Sequence, residues 1–186
     1  MQNLSWSIWG SPLDKIVKEL ASTIDEIPIV LCLGSDRLLQ DCLGPMIGSA
    51  LIEQGYPSYV YGTLDAPIFC QNLEYAYRFI KATHPTRKLL IIDASSTKEQ
   101  ERLGKIVLAK DYKPLNPKLQ NLELSADWFL FGVCSMYNNT FPQIVGARLA
   151  IIQKLAETMS NALLNTVAQI KIAGSTPSYG TNFAYV

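Results

Sequence analysis

Ile29-Val30-Leu31-Cys32-Leu33-Gly34-Ser35-Asp36-Arg37-Leu38-Leu39-Gln40-Asp41-Cys42-Leu43-Gly44-Pro45 is the stretch on which the reading of this chain turns. An apolar run stops at a glycine, a polar passage follows, and an aspartate stands just before the next apolar segment. A short apolar run bounded by turn residues reads as a buried strand. Leu89-Leu90-Ile91-Ile92 repeats the pattern and ends on Asp93-Ala94-Ser95-Ser96. In an open α/β sheet, ligands bind beyond the carboxyl ends of the strands. Asp41 and Asp93 are therefore expected to face one crevice, where two facing carboxylates form an acid/base unit.

Working outward, Ser11-Pro12-Leu13-Asp14 reads as a helix start, followed by Ile16, Val17, Leu20 and Ile24 at helical spacing. A second helix is expected from about Pro45 to Gln54, stopped by Gly55. Ser58 to Tyr61 is a short second strand, closed by Gly62-Thr63-Leu64-Asp65. A third helix fits Ile68 to Thr83 and ends before His84-Pro85, since the residue before a proline avoids helical geometry. Strand–helix alternation of this kind predicts a parallel sheet covered by helices. Right-handed crossovers are expected, and if the sheet is doubly wound in the order 2-1-3 the first strand lies between the second and third, with the crevice where first and third meet. Helices leaving these two strands on opposite faces are expected to open it.

Farther on the pattern is less regular. Gly104 to Ala109 reads as a fourth strand and Lys110 to Asn121 as a loop, with Leu122–Leu124 and Phe129–Val133 as further strand candidates. Thr140-Phe141-Pro142-Gln143 resembles a capping box that opens the longest helix, to about Val167, with Ile144, Val145, Leu149, Ile152 and Leu155 among its buried stripe. The expected organisation is one α/β domain over residues 1–173 and a mobile tail over 174–186.

Composition narrows the function. The chain has 186 residues, with 16 Lys plus Arg against 16 Asp plus Glu, which is no footprint for nucleic-acid binding. No apolar stretch is long enough to span a bilayer, and Met1 to Trp6 lacks the pattern of a signal peptide, so a cytoplasmic protein is expected. The 4 cysteines include no C-x-x-C pair and are expected as reduced thiols. The phosphate-loop glycine patterns are absent after Leu33. The single histidine, His84, falls at the amino end of the third strand, away from the crevice, and leaves a Ser or Cys nucleophile without a base. A histidine-rich metal site is excluded by that count, whereas an all-oxygen set of Asp36, Asp41, Asp65 and Asp93 stays open for a hard cation. Aspartates at strand ends also cap helices and close turns, which is the alternative reading of each taken singly.

Gly34-Ser35-Asp36-Arg37 followed by Asp41-Cys42-Leu43-Gly44-Pro45-Met46-Ile47-Gly48 resembles the signature block of the YyaC-type sporulation protein family. Tyr61-Gly62-Thr63-Leu64-Asp65-Ala66-Pro67, continued by Asn72-Leu73-Glu74, is similar to that family's second block, and Ile92-Asp93-Ala94 to its third. The second block of the family carries a histidine close after the proline, where this chain has Phe69. The likeness covers roughly residues 28 to 165.

The family is similar in turn to the germination protease and the hydrogenase-maturation endopeptidases. That resemblance implies a three-layer α/β sandwich with a mostly parallel or mixed sheet and helices on both faces. It implies Asp41 and Asp93 as the catalytic pair of a peptidase, with Asp36, Arg37, Asp65 and Asn72 shaping the substrate site. No cofactor and no metal is expected, because no histidine follows Asp93. The expected partner is a peptide or protein substrate, with homo-oligomerisation left open. An inactive relative that holds a peptide or protein in the same crevice is the alternative, and a metal-assisted hydrolase with oxygen ligands a further one.

Overall fold

The fold is seen in a computed structural model that describes residues 3–110, 112, 124–137, 144–145 and 147–174. A mixed sheet forms the middle layer. Its strands are β1 (Leu4–Ser7), β2 (Ile29–Cys32), β3 (Val60–Tyr61), β4 (Leu89–Thr97), β5 (Lys105–Ala109), β6 (Trp128–Tyr137) and β7 (Ile144–Val145). They lie in the order β1-β5-β6-β4-β2-β3, with β7 paired to β6. β2 runs parallel to both β3 and β4, and β4 parallel to β6, while β5 is antiparallel to β1 and β6. The first sequence-predicted strand thus lies between the second and third, in the 2-1-3 order expected for a doubly wound sheet.

The helices are α1 (Leu13–Ala21), α2 (Leu43–Glu53), α3 (Leu73–Thr83) and α4 (Leu149–Gly174). Side chains alternate across a strand, and the two faces of the sheet build two cores. Val30, Cys32, Leu90 and Ile92 pack with Ile16, Ile47 and Leu155 from α1, α2 and α4. Ile29, Leu31, Leu89 and Ile91 pack with Leu73, Tyr77 and Ile80 of α3. The result is the expected three-layer α/β sandwich. β2 and β4 are apolar on both faces because both are covered, the usual condition of parallel strands. Among the described residues no helix is long and apolar enough to cross a membrane.

Several elements differ from their sequence-predicted bounds. α1 has Pro12 at its cap, without a side-chain cap bond, and Ser11 instead accepts a hydrogen bond from the Ser7 N–H through its hydroxyl. α2 begins at Leu43, two residues before Pro45. α3 begins at Leu73, because Ile68 bridges Leu33 as an extension of the parallel sheet. β4 does not end at Asp93 but continues to Thr97, paired with β6 across a register shift between Ser95 and Ser96. Only a short 3₁₀ turn, Gln100–Arg102, joins β4 to β5, so the faces reverse between the helices that follow β2 and β3 rather than β2 and β4. Ile144 and Val145 form β7 against Met136 and Tyr137, and the long helix starts only at Leu149. The predicted loop beyond Tyr112, Leu122–Glu123, the capping box at 140–143 and the tail from 175 lie outside the described residues.

Candidate active site

The site is built at the carboxyl end of β2. Leu33 N–H bonds the Ile92 carbonyl (2.8 Å) and Gly34 N–H the Ile68 carbonyl (2.8 Å), which seats the end of β2 between β4 and the loop leading to α3. The chain then turns back through a 3₁₀ turn, Leu39–Asp41, and enters α2. Ser35 N–H bonds the Asp41 backbone carbonyl at 3.0 Å and closes this loop on itself. Two glycines make the closure possible. Gly34 has φ +136°, and a Cβ there would overlap the Asp41 carbonyl oxygen. At Gly44 a Cβ would overlap the backbone carbonyl of Leu33, so the first turn of α2 lies directly on the end of β2.

Asp41 therefore ends a tight turn that the backbone holds against the sheet, and Asp93 lies on β4 one residue beyond the Cys32–Ile92 pair. Both line one cleft of about 390 Å³. Its walls are partly apolar, with Leu33, Leu38, Phe69 and Leu73, and its other lining residues include Ser35, Arg37, Cys70 and Gln71. The Arg37 guanidinium sits over the Phe69 ring, 5.4 Å from its centroid.

The electrostatics separate the two carboxyls. Burial pushes Asp93 up to about 7, opposed by the hydrogen bond that its Oδ1 accepts from Ala94 N–H (2.8 Å) and reinforced by the charge of Asp41. Burial also raises Asp41, while the Ser35 backbone amide pulls it back down. The pair thus holds a proton on Asp93 into the neutral range. The nearby thiols stay protonated there. Burial lifts Cys134 to about 11, and Cys42 is raised by burial and by the charges of Asp36 and Asp41. Cys134 Sγ–H donates to the Gln40 carbonyl at 3.3 Å and so ties the turn that carries Asp41 to β6.

The remaining sequence-predicted residues fall in different places. Arg37 lines the cleft, and Asp36 is exposed beside it. Asp65 is exposed in the turn Thr63–Ala66 and is not part of the cleft lining. Asn72 braces the loop instead of facing the cleft. Its Oδ1 accepts from Phe69 N–H (2.8 Å) and its Nδ2 donates to the Pro67 carbonyl (3.1 Å). Sequence reasoning missed Phe69, Cys70 and Gln71 as cleft residues, since it placed them inside a helix. Asn72 was the available signal, because a side-chain amide that bonds the backbone three residues back favours a turn over a helix.

The oxygen set considered for a hard cation is not gathered in one place, since Asp36 and Asp65 are absent from the lining of the Asp41–Asp93 cleft. Among the described residues no group of three or more His, Cys, Asp or Glu is placed to hold an ion. His84 is engaged elsewhere, with Nε2 2.8 Å from the Tyr61 hydroxyl.

A family model described as "Protein of unknown function (DUF1256)" matches residues 9–162. The chain belongs to this family. A curated relative is the "Uncharacterized protein YyaC" of Bacillus subtilis (strain 168), 33% identical over 67 residues. That match takes in 36% of this chain and spans 33% of the relative's length. The cleft and both aspartates fall within the DUF1256 match.

Proposed function

We propose that this DUF1256 protein hydrolyses peptide bonds with a pair of carboxyls, Asp93 protonated and Asp41 ionised. The observation that carries the reading is the presence of both carboxyls in one cleft, with Asp93 raised to about 7. Asp41 takes a proton from a water molecule, whose oxygen attacks the substrate carbonyl. Asp93 donates its proton to the carbonyl oxygen as negative charge develops there. Collapse of the tetrahedral intermediate returns a proton to Asp93 and breaks the C–N bond, with the proton on Asp41 passing to the leaving amine. Burial lowers the polarity around Asp93, and the resemblance of the sequence blocks to the germination protease supports the assignment. On this reading the substrate is a peptide or protein segment and the enzyme works in the cytoplasm.

The test is incubation of the full chain with a diverse peptide mixture, read by mass spectrometry, alongside Asp41→Asn and Asp93→Asn. Cleavage by the wild type and its loss in both folded variants is the expected result. Full activity in either variant refutes the pair.

A second reading is a non-catalytic groove for a peptide or protein. It is favoured by Phe69, which stands where the related block has a histidine and forms cleft wall beneath Arg37. Saturable peptide binding without turnover, retained in Asp93→Asn, would select it.

A further inference from the structure

A second recess, of about 400 Å³, lies near the other end of β4, around the residues that lead into β4 and β6 and follow β5. Its lining includes Lys81, Lys88, Lys110, Ser125, Asp127 and Trp128. The lysines arrive from three places. Lys81 belongs to the last turn of α3, Lys88 precedes β4, and Lys110 follows β5. Two of their ammonium groups converge on one aromatic ring, with Nζ of Lys88 and Lys110 at 5.3 and 5.9 Å from the Trp128 centroid.

The lining carboxylate of Asp127 leaves this charge unbalanced. Its Oδ2 accepts the Leu89 N–H at 2.9 Å, and its Oδ1 lies 3.7 Å from Lys88, which also reaches Asp25 at 3.8 Å. Lys88 is thus compensated. Among the described residues neither Lys81 nor Lys110 has a carboxylate within 4.0 Å. The indole Nε1 of Trp128 is buried and has no hydrogen-bond acceptor among the described residues. Clustered ammonium groups repel one another, and a concave wall strengthens their field on whatever enters. Three lysines against the one carboxylate of Asp127 leave the described lining with a surplus of positive charge.

We propose that this recess is a binding site for a phosphate group, borne as free phosphate or as a phosphate monoester. A phosphate dianion presents several acceptor oxygens and enough charge to offset Lys81 and Lys110 together, and lysine binds phosphate as a point charge without needing planar geometry. The site is separate from the acid pair. Leu89 and Asp93 are four residues apart on β4, roughly 13 Å along the strand, so occupancy does not require the cleft.

The experiment titrates the full chain with inorganic phosphate and with glycerol phosphate at constant ionic strength, read by thermal shift and tryptophan fluorescence. Lys81→Gln and Lys110→Gln are the variants, since neither residue forms an ion pair among the described residues. The expected result is a saturable response weakened by about fivefold or more in each variant. Tighter binding of glycerol phosphate assigns a monoester, and equal or weaker binding assigns free phosphate. A response matched by chloride at the same ionic strength, or unchanged affinity in both variants, overturns the proposal.

Discussion

Asp93→Asn tests the electrostatics of the cleft without relying on any substrate. The unfolded carboxyl has an ordinary value near 3.8, and the folded one lies at about 7. Between these values the native state keeps a proton that the unfolded state has lost, so stability falls as pH rises. A difference of about three pKa units corresponds to about 4 kcal/mol over the full range, of which about 2–3 kcal/mol falls between pH 5 and 8. Asparagine cannot ionise, yet its side-chain oxygen can still accept from Ala94 N–H. The variant should therefore be the more stable protein at pH 8, and its stability should change less from pH 5 to 8 by that amount. Asp41 titrates in both proteins, so its own contribution largely cancels. Urea unfolding at several pH values, with equal m-values, measures the difference. Parallel pH dependences for wild type and Asp93→Asn would refute the burial argument, whatever the enzyme's activity.

Peptidase activity, if Asp93 must carry the proton, should fall as pH rises through about 7, and a kcat/KM profile flat from pH 5 to 9 would count against that role. Gly44→Ala should cost about 3 kcal/mol or more, because the new methyl meets the Leu33 backbone rather than a flexible side chain. A thermal melt should show this as a drop of roughly 6–12 °C. Asn72→Ala should lower stability by about 1–2 kcal/mol through its two lost backbone bonds. It should also raise KM by loosening the loop that carries Phe69, and an unchanged KM would show that the brace is not needed.

The sequence made the centre of the fold legible and left its margins obscure, for physical reasons. β2 and β4 are continuous apolar runs because helices cover both faces, and such runs stand out. β1 was missed because it is four residues long and buries only Trp6. β6 was read only from Phe129 to Val133, since Ser135 and the residues after it break the apolar run. They are strand because β4 and β7 supply their backbone partners. Ile144 and Val145 fit a helical stripe by spacing, yet pairing with Met136 and Tyr137 determines their state. At the site, the motif located Asp41 and Asp93, but the wall formed by Phe69, Cys70 and Gln71 depends on a loop whose shape follows from the Leu33–Ile68 bridge. No spacing rule reveals that contact.

The length of β4 gives the acid pair two unlike halves. Asp93 is flanked by strand residues on both sides and hydrogen-bonded neighbours in β6, so its backbone can shift only if the middle of the sheet opens. Asp41 ends a one-turn segment held by a few contacts, among them the Cys134 thiol and the Ser35 amide. Any adjustment of the gap between the two carboxyls must therefore come from the Asp41 side. Hydrogen exchange should find slow amides around Asp93 and faster ones from Ser35 to Asp41, with a fixed anvil on one side of the substrate and an adjustable jaw on the other.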